Sequence, residues 1–410
     1  MRFLLATYGT RGDVHPMLAL GLALLRKGHG VVVAGPPEFA SDAGRLTVDY
    51  CPMGGNLAEF LARNSSAVGS NVLRMARAVK HEIDTEVAAQ FDMLTNLAKQ
   101  SDHVVGASLA FAARSCAESA GRPYHFIAFA PETFPSRHHP ALGVRRQHLP
   151  HWFNRFSWWL ARKLDNWLLL KAINRGRAGL GLPAISDALD HFAAPAHSVL
   201  ATDAELAPAP PDVPLPEAPT GAILLDEDGR LPAEVESFLG AGSPPIYLGF
   251  GSMPDAHPER TREQLVKVVR KLGCRAIVYA GETAPAASMV ATDILTVGNV
   301  PHALLFPRVS LAVHHGGAGT AARAARAGIP QVIVPHVLDQ FPWSARVAER
   351  GLGPRPLLKH RPSVGSLVDR IREALENATM RERAAKLSRE LAGRDGAARV
   401  AAILAGDSRG

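Results

Sequence analysis

The chain has 410 residues, enough for two domains of ordinary size with their own cores, and its 47% hydrophobic content is that of a globular protein. No apolar run approaches the ~18–20 residues that cross a bilayer, and the three widely spaced cysteines, Cys51, Cys116 and Cys274, argue against disulfide staples or a zinc site. The formal charge of +7 comes from basic residues mixed with acids, as in Arg381–Arg389; with no zinc-finger spacing or ribonucleoprotein pattern, nucleic-acid binding is not supported.

Met1–Gly9 is too short for a secretory apolar region and runs directly into a glycine turn, so it reads as a first buried strand, Arg2–Thr7; a cytoplasmic location fits. A helix from about Pro16 to Lys27, ended by Gly28, and a strand Gly30–Ala34 follow. This alternation implies a parallel sheet covered by helices. His103–Ala107 and His125–Ala130 are further strands, with a helix Ala110–Ala120 between them. A nicotinamide Rossmann enzyme is weakened as an alternative. The first turn has Gly9 and Gly12 without full G-x-G-x-x-G spacing, and Val33-Ala34-Gly35-Pro36-Pro37 offers no ribose-binding acid.

Residues 131–167 carry Ser136-Arg137-His138-His139-Pro140 and then Trp152, Phe153, Phe156, Trp158, Trp159 and Trp167 among basic residues. Three readings are open, in this order: a helix packed on the first sheet, an aromatic pocket for a greasy ligand, and a basic-aromatic helix lying on a membrane surface. Under the second, His138, His139, Trp152 and Trp158 are the contacts, although adjacent loop histidines more often face solvent. The proline-rich tract 208–219 is the expected linker between a first domain, 1–207, and a second, 220–390, followed by a helix and tail, 391–410. Strands near Pro245–Phe250, Ala276–Ala280, Val309–Val313 and Gln331–Val334 restart the alternation. Two such domains predict a cleft between them.

The most informative stretch is His314-His315-Gly316-Gly317-Ala318-Gly319-Thr320, between the Val309–Val313 run and an Ala/Arg helix stopped by Gly328. A strand that ends in a glycine turn and opens a helix leaves unpaired N–H groups at the positive end of the helix dipole. A diphosphate sits well there, with Thr320 as a cap-type start to the helix. Asp339-Gln340 falls past the carboxyl end of the next strand, where open α/β sheets bind ligands, and its acceptor pair and amide suit vicinal hydroxyls. A tight turn with two surface histidines is the plain alternative.

The segment Val300–Gly353 that holds these residues resembles the donor-sugar-nucleotide signature of family-one glycosyltransferases, above all the bacterial natural-product and sterol-type glucosyltransferases. Gly9-Thr10-Arg11-Gly12-Asp13-Val14-His15-Pro16 and Leu248-Gly249-Phe250-Gly251-Ser252-Met253 match the same family, in the right order. The resemblance implies a GT-B architecture: two Rossmann-like α/β domains facing across a cleft, with the last helix, about Asp395–Leu404, crossing back to the first domain. It also implies inverting, metal-independent transfer of a hexose, glucose or a deoxysugar, from a UDP- or dTDP-sugar to a hydroxyl of a lipophilic small molecule. No cofactor is expected beyond the donor, and the protein would be a monomer or homodimer, with peripheral membrane contact as a further expectation.

Position alone makes Asp13 a helix cap; the resemblance makes it the base, supported by Arg11 or His15. Plant relatives orient their base with an acid after a later strand, but Val104-Val105-Gly106-Ala107-Ser108 has none. His315 would bind the diphosphate with Gly317, Ala318, Gly319 and Thr320, and Ser252 would be a second phosphate contact. Val300 and His302 would border the nucleobase, and Asp339 and Gln340 the sugar, Gln340 pointing to glucose. Asn299 stands where plant relatives stack a Trp on uracil, so uridine versus thymidine stays open. Asp226-Glu227-Asp228 reads as a solvated turn, and no metal site is expected. The rivals are a sugar-nucleotide epimerase and a non-catalytic relative that activates a transferase.

Overall fold

The structure, a computed structural model, describes residues 1–55, 72–226, 229–250, 258–281, 284–358 and 362–407. The chain divides into two compact units, one of residues 1–141, 148–225 and 395–410, the other of residues 142–147 and 226–394.

Among the described residues of the first unit, β1 (Arg2–Tyr8), β2 (Gly30–Gly35), β3 (Tyr50–Pro52), β4 (His103–Ser108), β5 (Tyr124–Ala128) and β6 (Ser198–Leu200) form one sheet in the order β3-β2-β1-β4-β5-β6. Every pairing is parallel. Leu4 and Ala6 face one core, while Phe3 and Leu5 face another. Because both faces are covered, β1 is an unbroken apolar run rather than an alternating one. Helices Val72–Lys99 and His151–Gly179 contribute to the first core and helix Arg11–Arg26 to the second. The order reverses between β1 and β4, a topological switch point, where carboxyl ends of strands leave a crevice for ligands.

The last helix, Gly396–Ala405, packs on Arg11–Arg26 through Val400, Ala401 and Leu404, as the resemblance implied. Lys27 Nζ reaches Asp407 at 2.9 Å. Helix Arg11–Arg26 begins five residues before the expected Pro16, which lies inside it. The proline tract 208–219 differs from its expected linker role: it lies within the first unit, and the division falls after Leu225. Val213 is buried in that unit's core, and Asp212 accepts hydrogen bonds from Ser136 Oγ at 2.6 Å and Arg137 N–H at 2.9 Å.

In the second unit the described strands are β7 (Ile246–Gly249), β8 (Ala276–Tyr279), β9 (Ala287–Ala291), β10 (Ile294–Val297), β11 (Leu311–His314) and β12 (Gln331–Ile333), in the order β12-β11-β7-β8-β10-β9. Only the β9–β10 pairing is antiparallel. Its switch point lies between β7 and β11. Among the described residues no helix is long and apolar enough to cross a membrane.

Candidate active site

Each sheet brings candidate residues to its own switch point. In the first unit Asp13 lies in the first turn of helix Arg11–Arg26, not in a loop ahead of it. Its Oδ2 accepts the Thr10 N–H at 2.7 Å and the Thr10 hydroxyl at 3.1 Å, and its Oδ1 accepts the Ser108 hydroxyl at 2.6 Å. Ser108 ends β4 opposite Tyr8, so the carboxylate spans the crevice between β1 and β4. Gly9 has φ +150°, and a Cβ there would meet Asp13 Oδ2 at 2.3 Å, so only glycine lets the carboxylate fold back over the strand end. Ser108 holds φ +52°, a strained geometry that such sites retain when it aims a group.

Burial pushes the Asp13 carboxyl pKa up, while the hydrogen bonds from Ser108 and Thr10 pull it down. The net is a rise, which makes the carboxylate a stronger base than an exposed aspartate. His15, an expected supporter of Asp13, instead turns its Nε2 to Asp42 at 2.9 Å. The partner of Asp13 is Ser108, which sequence reasoning passed over because it looked there for an acid. A second group it missed is Glu86, whose buried carboxylate accepts the Gly55 N–H at 3.0 Å and is pushed up in pKa by burial.

In the second unit β11 ends at His314, and the next three residues make the turn. His314 is fully buried: the Gly316 N–H donates to Nδ1 at 3.1 Å, so the proton sits on Nε2 and is donated to Gln331 Oε1 at 2.9 Å. That fixes a neutral tautomer, and burial lowers the pKa to about 4. His314 therefore shapes the turn from inside. Gly316 has φ +95°, and a Cβ there would press on Ile333 at 2.7 Å.

His315 points elsewhere, as successive strand-end residues do. Its Nδ1 is buried with no hydrogen-bond partner among the described residues, and a Cβ at Gly317 would meet its Nε2 at 2.7 Å. Burial, with His314 and His336 nearby, lowers its pKa to about 3, so the ring is neutral and carries one N–H. Helix Ala318–Ala327 is capped by Gly317, not by Thr320 as expected, and Gly317 supplies no side-chain cap. The N–H groups of Ala318, Gly319 and Thr320 thus fall in a first turn that has no preceding carbonyls to bond, and all three residues are partly exposed. Neutral imidazole, main-chain amides and helix dipole are the groups that could receive an anion at this turn.

The remaining sites expected from sequence separate. Gln340 is buried and its Oε1 accepts the N–H groups of His336 and Val337 at 2.8 and 3.1 Å, so it braces the loop after β12. Asp339 is the partly exposed residue ahead of helix Gln340–Glu349, beside Leu338, whose φ of +45° is unusual for a branched side chain. His302, partly exposed, stacks on Phe306 at 4.3 Å and meets the Tyr247 hydroxyl at 3.1 Å, and Val300 is buried in the core. Tyr279, at the end of β8, reaches Asn299 Oδ1 at 3.4 Å and is a rim aromatic that sequence reasoning missed. Ser252 lies outside the described residues.

The expected acceptor contacts also divide. Trp158 is 7% exposed and donates its indole N–H to the His139 carbonyl at 3.1 Å, and His139 is buried beside it; these two are core, not pocket wall. His138 faces solvent against His151 and Arg137, and Trp152 is exposed. Among the described residues no group of three His, Cys, Asp or Glu stands close enough to hold a metal ion.

Residues 3–137 match the model of the glycosyltransferase family 28 N-terminal domain, and residues 263–406 that of the erythromycin biosynthesis protein CIII-like C-terminal domain. The chain is similar to glycosyltransferase GtfE of Amycolatopsis orientalis, 34% identical over 86% of this chain and 85% of that one. It is 33% identical to the dTDP-epi-vancosaminyltransferase of the same organism, with the same coverage. A sterol 3-beta-glucosyltransferase of Arabidopsis thaliana is 29% identical over 97% of this chain and 66% of that one. Among solved structures, the glycotransferase of kitacinnamycin superposes with a TM-score of 0.73 at 19% identity, covering 99% of this chain and 98% of that one.

Proposed function

Because the chain belongs to the glycosyltransferases of natural-product and sterol type, enzymes that act on nucleotide sugars, we propose that it moves a hexose from a UDP- or dTDP-sugar to a hydroxyl of a lipophilic small molecule, with inversion. The observation that carries this reading is Asp13: a partly buried carboxylate at a switch point, with raised pKa and a hydroxyl partner holding it in one orientation. The acceptor O–H attacks the anomeric carbon, Asp13 takes its proton, and the carbon–oxygen bond to the diphosphate breaks with its electron pair leaving on the phosphate oxygen. Attack opposite the leaving group turns an α-linked donor into a β-glycoside. The growing charge on the diphosphate is met by the His315 N–H and the amides of Ala318–Thr320, and Asp339 engages sugar hydroxyls. The name dTDP-epi-vancosaminyltransferase supports a thymidine donor, and the sterol relative supports glucose.

Incubation with UDP-glucose or dTDP-glucose and a panel of polyketide, sterol and phenolic acceptors should give acceptor-dependent glycoside and free nucleoside diphosphate, undiminished by EDTA. Turnover of donor without acceptor, to an isomeric sugar nucleotide, would favour an epimerase; no turnover of any donor, hydrolysis included, would overturn the proposal.

Ser108 is a positioning residue. Its hydrogen bond favours the ionised carboxylate, so Ser108→Ala should raise the Asp13 pKa further and move the acid limb of the kcat/KM profile to higher pH. The rate at the plateau should fall less than it does on losing the carboxylate. An acid limb that stays in place would show that Ser108 does not act through Asp13.

A further inference from the structure

Helix His151–Gly179 buries one side in the first unit, through residues such as Trp158, Leu169 and Ile173. Trp152, Phe156, Trp159, Leu160, Leu164 and Trp167 are each more than half exposed, at 51–70%. At 100° per residue all six fall within an arc of about 140° and run about 22 Å along the helix. Phe156 and Trp159 stack on one another with ring centres 5.8 Å apart, so their rings form one continuous apolar surface. The charged residues on and beside it, Arg155, Lys163 and Lys171, are exposed and basic. The helix's acid, Asp165, lies on the opposite side and is partly buried. Lys80 adds a cation at the edge, 5.3 Å from the centre of the Trp167 ring.

Soluble surfaces rarely carry so continuous an apolar stripe without an occupant. A small-molecule acceptor needs a concave pocket, and the outer side of a helix is convex. A second copy pairing this face with itself would bring a row of cations against a row of cations. An anionic bilayer satisfies both components: tryptophan and phenylalanine enter the interface while lysine and arginine stems reach up to the phosphates. We propose that this face docks on anionic phospholipid membranes with the helix lying in the plane of the interface. The inference does not rest on the transfer reaction, because its test reads binding alone.

The full chain should co-sediment with vesicles of equal phosphatidylglycerol and phosphatidylcholine, more weakly with phosphatidylcholine alone, and less as salt rises. Tryptophan emission should shift to the blue on binding. Combining Trp152→Ser, Trp159→Ser and Trp167→Ser should lower the partition coefficient by about tenfold or more, given the apolar area removed, with the circular dichroism unchanged because these side chains support no core. Combining Arg155→Glu and Lys163→Glu should abolish the preference for the anionic vesicles. Failure of the native chain to prefer anionic vesicles would overturn the proposal, as would equal partitioning of the triple variant. So would a native dimer that the triple variant dissociates without any vesicle binding.

Discussion

Asp13→Asn should lower kcat for sugar transfer by about 10²–10⁴-fold, the usual contribution of a positioned general base, while nucleotide diphosphate still binds with native affinity. The substitution keeps the shape of the side chain and an oxygen that can accept the Thr10 N–H, the contact that starts helix Arg11–Arg26. Asparagine caps helices as well as aspartate, so a purely structural Asp13 would leave the rate nearly intact. Stability separates the two readings further. A carboxyl whose folded pKa lies above its unfolded one contributes stability at low pH and loses it as pH rises through the folded value, so the ionised Asp13 is a burden on the fold at neutral pH. Asp13→Asn should therefore not lower Tm, and the fall in kcat should appear in a protein at least as stable as the native one. In the native enzyme kcat/KM should fall as pH drops through the raised pKa, because the protonated form cannot accept the acceptor's proton. Near-native turnover by Asp13→Asn would remove Asp13 as the base, whatever the donor.

The strands and their alternation with helices were legible because each buried parallel strand is a short apolar run, and β1, β4, β11 and β12 stand where those runs are. What local sequence does not carry is which strands lie side by side. Ser108 and Asp13 are ninety-five residues apart and meet only because β4 pairs with β1. The start of helix Arg11–Arg26 was misplaced for a different reason: Pro16 resembles a first-turn proline, but Thr10 and Asp13 had already opened the helix one turn earlier. Period explains both tryptophan and histidine assignments. Trp152 and Trp158 are six positions apart on a helix, which puts them about 120° apart, one in solvent and one in the core. His314 and His315 are neighbours at a strand end, so one must face inward; Gln331, a polar residue in the next strand, was the signal for which. The proline tract had the composition of a linker, yet Val213 gave it apolar surface to bury.

His315→Ala should weaken nucleotide diphosphate binding and lower kcat together, by about 10²–10³-fold in kcat, the loss typical of one donor aimed at developing charge. Two features of the ring make this a test of its chemistry rather than of its bulk. With a pKa near 3 the imidazole is neutral at working pH, so it serves as an N–H donor and not as a cation. His315→Gln, which restores a donor without a titratable group, should recover part of both losses, whereas a ring needed only for packing would be replaced better by leucine. Nucleotide binding should also raise the His315 pKa, followed by NMR, because the diphosphate places negative charge beside a nitrogen that burial otherwise keeps unprotonated. Stability must follow the same linkage. Groups whose folded pKa is depressed below the unfolded 6.5 let the unfolded chain bind more protons, so His314 and His315 make the second unit lose stability as pH falls from about 6.5 towards 4. Bound diphosphate should oppose that loss in native protein and do so less in His315→Ala. A variant that binds nucleotide as tightly as the native chain, with the same acid stability in its presence, would mean that the turn holds the diphosphate by main-chain amides alone and that the imidazole has another purpose.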